Sequence, residues 1–351
     1  MKKVAVAMSG GVDSSVAAYI LKEQGYDIFG VTMQIWQTDD PHDGGCCGQT
    51  AADDARQVCG VLDIPHYVLN FKDIFRKVVI DSFASEYMAG RTPNPCIVCN
   101  RYVKWEHLLK KAEAFEADFI ATGHYAKIAS RGGRLAIAAT PSAKDQSYAL
   151  YNLSQDALAK TLFPIHDINK ETVRSIAEQK IGLRMAKKPD SQEICFVPYR
   201  DHPAFLEEYL GHALPAGNFI DEAGGILRPH DGIGRYTIGQ RKGLGAFGQP
   251  MFVKAIDGEQ SSVTLTPNEG NLFQTEMIVH DINFVLHDGL PHPLKCRGKI
   301  RYAHAPAPCT IRQQEDKILC TFDEPQRAIT PGQSAVFYDD EGNIICGGII
   351  I

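Results

Sequence analysis

The sequence predicts an α/β protein. A mostly parallel sheet, covered by helices on both faces, is followed by a region of mainly β structure. Three observations carry this. Over the first 125 residues, short β-rich runs alternate with stretches of helical period. The first such run ends in a glycine- and serine-rich turn, as nucleotide-binding sheets begin. After about residue 205, glycine and proline become frequent and short alternating runs take over; from about Glu276 onward the pattern is all-β.

In chain order, Lys3–Ala7 reads as the first strand. Ser14–Gln24 reads as a helix with Val16, Ala17, Ile20 and Leu21 on one face and Gly25 as its stop. Asp27–Ile35 is a strand, Ala52–Leu62 a helix and His66–Asn70 a strand. Asp73–Gly90 and Arg101–Phe115 are helices, and Asp118–Thr122 is a strand. Lys170–Gly182 is a later helix. Met251–Ile256, Ser262–Thr266, Lys317–Phe322 and Ala335–Tyr338 read as strands. Breaks near 205 and 275 divide the 351 residues into 1–205, 206–275 and 276–351. Ligands on open parallel sheets bind beyond the carboxyl ends of the strands. That rule brings Met8–Ser9, Met33 and Gly123–His124 to one edge.

Hydrophobic residues make up 44% and charged residues 22%, an ordinary globular balance. A formal charge of −6 excludes a uniformly basic nucleic-acid binder but not a local basic face. Residues 291–312 carry five Lys/Arg and no Asp/Glu, with Tyr302 and His304 interleaved. Residues 170–200 carry seven basic and four acidic side chains, and Gln240-Arg-Lys-Gly243 adds a third cluster. Together they favour a polyanionic partner over a merely solvated face. The opening MKKVAVAMSGG has too short an apolar run for a secretory signal, and no apolar stretch approaches about 18 residues. A cytosolic protein is the expectation.

The turn after the first strand is Met8-Ser-Gly-Gly-Val-Asp-Ser-Ser15. Two glycines let the backbone aim several N–H groups at an anion, Ser9, Ser14 and Ser15 add hydroxyls, and the helix N-terminus adds its positive dipole end. Asp13 is placed either to cap the helix or to hold magnesium on a polyphosphate. No Walker pattern is present. The motif is similar to the pyrophosphate loop of ATP pyrophosphatases, which split ATP while adenylating a substrate. A second glycine pattern, Gly243-Leu-Gly-Ala-Phe-Gly248, follows no clear strand and opens no helix, so it is not a dinucleotide fingerprint.

Ten cysteines in a chain of this length with no export signal argue against disulfide stapling. Cys96-Ile-Val-Cys99 follows Pro93 and Pro95, which disfavour helix before it, and Asn100 is placed to cap the helix that follows. Both thiols are then expected on a loop at a helix N-terminus, beside Arg101 and Lys104, where thiolate is favoured. Cys195 lies near Lys187 and Lys188. A C-x-x-C alone is also a zinc half-site or a structural pair, but no second half-site accompanies it. Beside a pyrophosphate loop, the thiols suit a reaction in which adenylation makes a carbonyl oxygen a leaving group and a persulfide delivers sulfur to that carbon. Cys59 and Cys320 have the spacing of core residues; Cys46 and Cys47 receive no role.

The stretches AMSGGVDSSVAA, GRTPNPCIVCNRYVKW, ATGHYAKI, KDQSYALY, AKKPDSQEICFV, TIGQRKGLG, KIRYAHAPAPCTI and TPGQSAVFY resemble the tRNA-specific 2-thiouridylase family, MnmA. The resemblance runs from residue 7 to 338. It implies an N-terminal ATP pyrophosphatase domain, a small central domain and a C-terminal β-barrel. It also implies conversion of the wobble uridine of the tRNAs for Lys, Glu and Gln to 2-thiouridine. Ala7, Met8, Ser9, Gly10, Gly11, Val12, Asp13, Ser14, Met33 and Gly123 would hold ATP, with Mg²⁺ on its phosphates. Cys195 would take a persulfide from a cysteine desulfurase or a relay protein. Cys99 would release sulfide from it or resolve it through a transient Cys99–Cys195 disulfide. Asn94, Pro95 and Cys96 would lie against the target base, and His124, Lys144, Asp145, Gln146, Arg301, Tyr302 and Gln333 against tRNA.

One position departs from part of that family. Where many members carry Asp three residues before the catalytic cysteine, this chain has Cys96, a poorer general base and a better metal ligand. Cys96, Cys99 and Cys195 are therefore a second candidate set, three ligands of a [4Fe–4S] cluster with one open iron. Two other classes compete. An amide-forming ATP pyrophosphatase would need neither Cys99 nor Cys195. A nucleotide-gated RNA-binding protein would release no AMP.

Overall fold

Strand β1 (Lys3–Ala7) lies inside a five-stranded sheet. The computed structural model describes residues 1–35, 49–142, 144–182, 194–198 and 201–351. The other strands of this sheet are β2 (Asp27–Gln34), β3 (His66–Asn70), β4 (Phe119–Ala121) and β7 (Thr161–Leu162). Between β4 and β7 runs a separate hairpin, β5 (Lys127–Arg131) and β6 (Arg134–Ala138). The order is β3-β2-β1-β4-β7, and every paired neighbour is parallel. Because β1 has β2 on one side and β4 on the other, the winding reverses there. The crevice beyond the carboxyl ends of β1 and β4 is the expected ligand position.

Helix α1 (Val12–Glu23) buries Val16, Ala17 and Leu21 against Val4 and Val6 of β1. Val58 of α2 (Gln49–Val61) and Val173 and Ala177 of the helix Lys170–Lys180 complete that core. Each helix repeats its apolar residues at three- and four-residue spacing, which gives it one buried stripe. Cys59 belongs to this core, as its spacing predicted.

The chain divides into two units that interleave in sequence. One contains Met1–Val79, Cys96–Pro198 and Glu341–Ile344; the other contains Ile80–Pro95, Tyr199–Asp340 and Ile345–Ile351. The helical run 72–88 crosses from the first set to the second. Its segment Asp81–Met88 packs with later residues. Phe83 meets Phe205 edge-on, Tyr87 lies against His202, and the Tyr209 hydroxyl donates to Asp81 at 2.6 Å.

The second unit holds a four-stranded sheet of β8 (Gly217–Ile220), β9 (Ile226–His230), β10 (Phe252–Asp257) and β11 (Ser262–Thr266). It also holds a closed barrel of β12 (Phe273–Phe284), β13 (Leu294–Lys299), β14 (Ala307–Gln314), β15 (Lys317–Arg327), β16 (Ser334–Tyr338) and β17 (Ile344–Ile350). Closure leaves no unpaired edge. The barrel interior is filled by alternating side chains, among them Cys296, Cys309, Cys320 and Cys346. The expected β-barrel is present, and so is the core role of Cys320.

The sequence reading is corrected at the thiols. Helix begins at Pro95, not after Asn100: Pro95–Val98 is α-helical and Cys99–Leu108 continues with i→i+5 bonding. Proline is tolerated at a first helical position because its missing N–H has no partner there anyway. Cys96 and Cys99 are thus helical residues, and Asn100 caps nothing. Its amide donates to the Ala149 carbonyl at 2.8 Å and its Oδ1 accepts from Lys104 at 2.9 Å.

Candidate functional site

The nucleotide loop is built by the end of β1 and the start of α1. Met8 N–H donates to the Val31 carbonyl at 2.8 Å, which extends the β1–β2 ladder one step. Gly10 then turns with φ +66°, in the left-handed region, and a Cβ there would lie 2.5 Å from the Ala51 carbonyl oxygen. The hydroxyls of Ser14 and Ser15 donate to the Gly11 carbonyl at 3.0 and 2.8 Å, and the Ser9 N–H points at Ser14 Oγ at 3.3 Å. These bonds fix the turn at the α1 N-terminus, where the helix dipole and the backbone N–H groups of the first turn favour an anion.

Asp13 is not a cap: Gly11 is the N-cap residue and makes no side-chain capping bond. The carboxylate is held instead by Lys170 Nζ, 2.7 and 2.8 Å from its two oxygens, and by the Tyr125 hydroxyl at 2.9 Å. Neither partner was singled out for this site in the sequence. A usable signal existed for Lys170. A lysine at the first position of a helix opposes the helix dipole, so it needs a carboxylate or another anion close by.

Gly123 follows β4 and packs directly on the loop. A Cβ at this position would sit 2.7 Å from both the Asp13 carbonyl carbon and the Ser14 nitrogen. Met33, near the end of β2, is buried. The ten residues expected to bind ATP therefore all lie on the loop or at the carboxyl ends of β1, β2 and β4, as the edge rule required. The loop donors and the Asp13 carboxylate suit a polyphosphate and its magnesium.

His124 follows Gly123. Its ring lies between Trp105 and Phe163, with centroids 5.7 and 6.2 Å away, and its Nδ1 is 2.7 Å from Thr122 Oγ1. Burial, helped by the Lys104 charge, pushes its pKa well below the ordinary 6.5, so the imidazole is neutral at pH 7. The segment Lys144-Asp145-Gln146 is anchored to the same strand end. Gln146 Oε1 accepts from the Tyr125 N–H at 3.0 Å, and its own N–H donates to the Tyr125 carbonyl at 2.8 Å. Asp145 accepts from Thr140 N–H and Ser147 Oγ at 2.8 and 2.7 Å, so its carboxylate shapes the loop.

Cys96 is exposed, and Cys99 and Cys195 are half-buried. Among the described residues, no group of three His, Cys, Asp or Glu is placed to hold a metal ion. As they stand, the three thiols do not fit a cluster. Lys187, Lys188, Cys46 and Cys47 lie outside the described residues.

Asn94, Pro95, Arg301, Tyr302 and Gln333 belong to the second unit. Tyr302 is exposed, with the Lys299 ammonium 5.5 Å from its ring centre. Arg301 donates to the Arg327 carbonyl at 3.2 Å. Gln333 Nε2 donates to the Thr92 carbonyl at 2.8 Å. Among the described residues, no helix is long and apolar enough to cross a membrane.

Three family models match the chain in succession. They are a tRNA methyl transferase HUP domain over 2–199, a tRNA methyl transferase PRC-barrel domain over 203–267 and an aminomethyltransferase β-barrel domain over 274–351. The tRNA-specific 2-thiouridylase MnmA of Lachnoclostridium phytofermentans is 54% identical, with 99% of each chain covered. That of Clostridioides difficile is 51% identical over 100% of this chain and 98% of its own. Two solved structures align weakly. One is a predicted tRNA methyltransferase subunit from Methanocaldococcus jannaschii (TM-score 0.32, 19% identity, 51% of this chain and 76% of that one). The other is NMN synthetase from Francisella tularensis (TM-score 0.34, 16% identity, 60% and 72%). Neither bears on the assignment. With relatives matched end to end and the family's domains in order, the chain belongs to the MnmA family of tRNA-specific 2-thiouridylases.

Proposed function

We propose that this protein is a tRNA-uridine 2-sulfurtransferase that uses ATP. The observation that carries the reading is the preset loop Ser9–Ser15 at the carboxyl end of β1, closed by Gly123. Its amides, hydroxyls and helix dipole suit the pyrophosphate portion of ATP. The C2 oxygen of the wobble uridine in the tRNAs for Lys, Glu and Gln attacks the α-phosphorus, and pyrophosphate leaves. A sulfur nucleophile then adds to C2, and the oxygen departs with AMP. Mg²⁺ bound to the phosphates would offset their charge, with Asp13 the loop carboxylate nearest to hand.

The sulfur comes from a persulfide on Cys195, loaded by a cysteine desulfurase or a relay protein. Its terminal sulfur either attacks C2 directly or leaves first as sulfide. In both routes the Cys99 thiolate attacks Cys195 Sγ and breaks the persulfide bond. The Cys99–Cys195 disulfide so formed is reduced by a thiol before the next turnover. No step is assigned to an iron–sulfur cluster. Although the family-model descriptions speak of methyl transfer, the relatives matched over the full length are thiouridylases, and the loop and thiols suit sulfur transfer.

The test is a reconstituted assay with tRNA, ATP, a cysteine desulfurase and cysteine. Pyrophosphate, AMP and 2-thiouridine should form in step, and Cys99→Ser and Cys195→Ser should each abolish 2-thiouridine. Pyrophosphate release that ignores tRNA and survives both substitutions would point to an amide-forming synthetase. Binding of tRNA without any ATP splitting would point to an RNA-binding protein.

A further inference from the structure

A basic stretch of the second unit lies outside the sites described above. Residues 232–256 carry Arg235, Arg241, Lys242 and Lys254 and no Asp or Glu. Two of these cations are spent within the fold: Arg235 pairs with Glu207 and Lys254 with Glu222. Arg241 and Lys242 are exposed, and among the described residues neither has a carboxylate within ion-pair distance. Solvation alone would account for two such side chains. The backbone that carries them is the informative part.

That backbone is held at both ends. Gly239 N–H donates to the Val253 carbonyl at 2.8 Å, and Val253 N–H donates to the Gln240 carbonyl at 2.9 Å. Gln240 Oε1 accepts from the Thr237 N–H at 3.0 Å, while its Nε2 donates to the Lys242 carbonyl at 2.9 Å. Gly243 turns with φ +78°, and Leu244 is buried in the same apolar core as Tyr236 and Val253. The Arg241 guanidinium carbon lies 6.0 Å from the centre of the Phe252 ring. Arg241 and Lys242 thus stand on a fixed turn, so little backbone freedom is lost when an anion docks there.

The turn is also seated on the barrel. Gly239 has φ +85°, and a Cβ there would lie 2.7 Å from Ala328 Cβ. Its carbonyl accepts from Arg327 Nη2 at 3.1 Å, and Arg327 Nε meets Glu269 at 2.9 Å, so Arg327 serves as a strut. Arg301 reaches the same two residues. Its Nη1 donates to the Arg327 and Ala328 carbonyls at 3.2 and 3.4 Å. Arg301 and the turn are therefore neighbours across residues 327–328. Arg301 and the exposed Tyr302 are barrel residues that the family resemblance sets against tRNA.

We propose that the turn Gln240–Gly243 is a second tRNA-binding surface. Arg241 and Lys242 meet the sugar–phosphate backbone of the RNA that Arg301 and Tyr302 meet on the barrel. This rests on the functional reading above and extends it to the four-stranded sheet. The guanidinium matches two phosphate oxygens at once, and the ammonium adds a point charge. Contacts of this kind set the position of the RNA and read no base, so they serve every substrate tRNA alike.

The test is filter binding of the tRNAs for Glu and Lys to the full-length protein over a salt series. It compares the parent, the double variant Arg241→Gln/Lys242→Gln and Lys254→Gln. The double variant should bind both tRNAs about tenfold or more weakly near physiological salt. Its plot of log affinity against log salt should be shallower by about 1 for each lost contact. Lys254→Gln removes one charge from the same sheet, but a paired one, and should leave the slope as it is. Unchanged affinity and slope in the double variant would overturn the proposal. So would an equal loss in Lys254→Gln, which would mark a diffuse charge effect. If the parent thiolates tRNA while binding ignores the double substitution, the surface fails and the functional reading stands. If binding is steeply salt-dependent and sensitive to the double substitution but no tRNA is thiolated, the surface stands and the functional reading fails.

Discussion

Lys170 Nζ lies within ion-pair distance of both oxygens of Asp13, at 2.7 and 2.8 Å, with the lysine side chain 16% exposed. The pair joins the first turn of α1 to the first residue of a helix 157 positions later. A partly buried ammonium beside an anion loop can turn from the carboxylate to an incoming phosphate. Charged hydrogen bonds of this kind are worth about 1.5–3 kcal/mol. Lys170→Met is therefore expected to raise KM for ATP about tenfold or more, while tRNA affinity stays near the parent value. Steady-state pyrophosphate release at varied ATP checks this.

Gly123→Ala is a steric test of the loop. The added methyl meets backbone atoms of Asp13 and Ser14 at 2.7 Å, and backbone moves less readily than a flexible side chain. Overpacking of this sort costs about 1–3 kcal/mol. Pyrophosphate release should fall at least tenfold, and thermal unfolding should show a moderate loss of stability.

The pH dependence of stability follows from His124. Burial and Lys104 lower its pKa from the ordinary 6.5, so the folded state binds fewer protons than the unfolded chain. The stabilisation is fully present above pH 6.5 and is lost as the pH falls toward the depressed folded value. His66, His202, His230 and His304 are shifted the same way, first by burial. The melting temperature should fall between about pH 6.5 and 5, and His124→Asn should fall less steeply over that range.

Iron and acid-labile sulfide measured on protein purified without oxygen decide between the two readings of Cys96. Because Cys96, Cys99 and Cys195 are not gathered into a ligand group, the expectation is sub-stoichiometric iron. Cys96→Ala should then keep most of its thiolation activity. Stoichiometric iron lost together with activity in Cys96→Ala would make Cys96 a cluster ligand.

A thiol titration of the native protein should leave five cysteines silent. Cys59, Cys296, Cys309, Cys320 and Cys346 are all buried. Burial pushes Cys59 up to about 11 and Cys346 well above the usual thiol range. In the barrel, Cys296 and Cys309 lie opposite each other with their sulfurs 3.5 Å apart. All five should react only on unfolding in guanidinium.

Much of the first unit was legible because its elements obey one period each. Lys3–Ala7 and His66–Asn70 were read to the residue, and α1 and α2 within three residues at each end; in the second unit the same held for Ser262–Thr266. The gathering of Met8, Met33 and Gly123 at one sheet edge was legible because topology alone puts strand ends together. The start of the thiol helix was misread because proline was weighed as a breaker where it is a permitted first residue. The partners of Asp13 were missed because a contact between residues 13 and 170 leaves no trace in local periodicity. The Gln333–Thr92 bond is of the same kind, 241 positions apart in sequence.

The interleaving of the two units sets an order on synthesis. The helix Asp81–Met88 leaves the ribosome long before Phe205, His202 and Tyr209, the residues its aromatic side packs on; Tyr209 follows Asp81 by 128 positions. The turn leading into β17, residues 341–344, which is counted with the first unit, emerges almost last. A nascent chain stopped near residue 200 lacks Phe205 and His202, on which Phe83 and Tyr87 pack, and so exposes both rings to the cell. Such a fragment is a substrate for chaperones and proteases rather than a working half-enzyme.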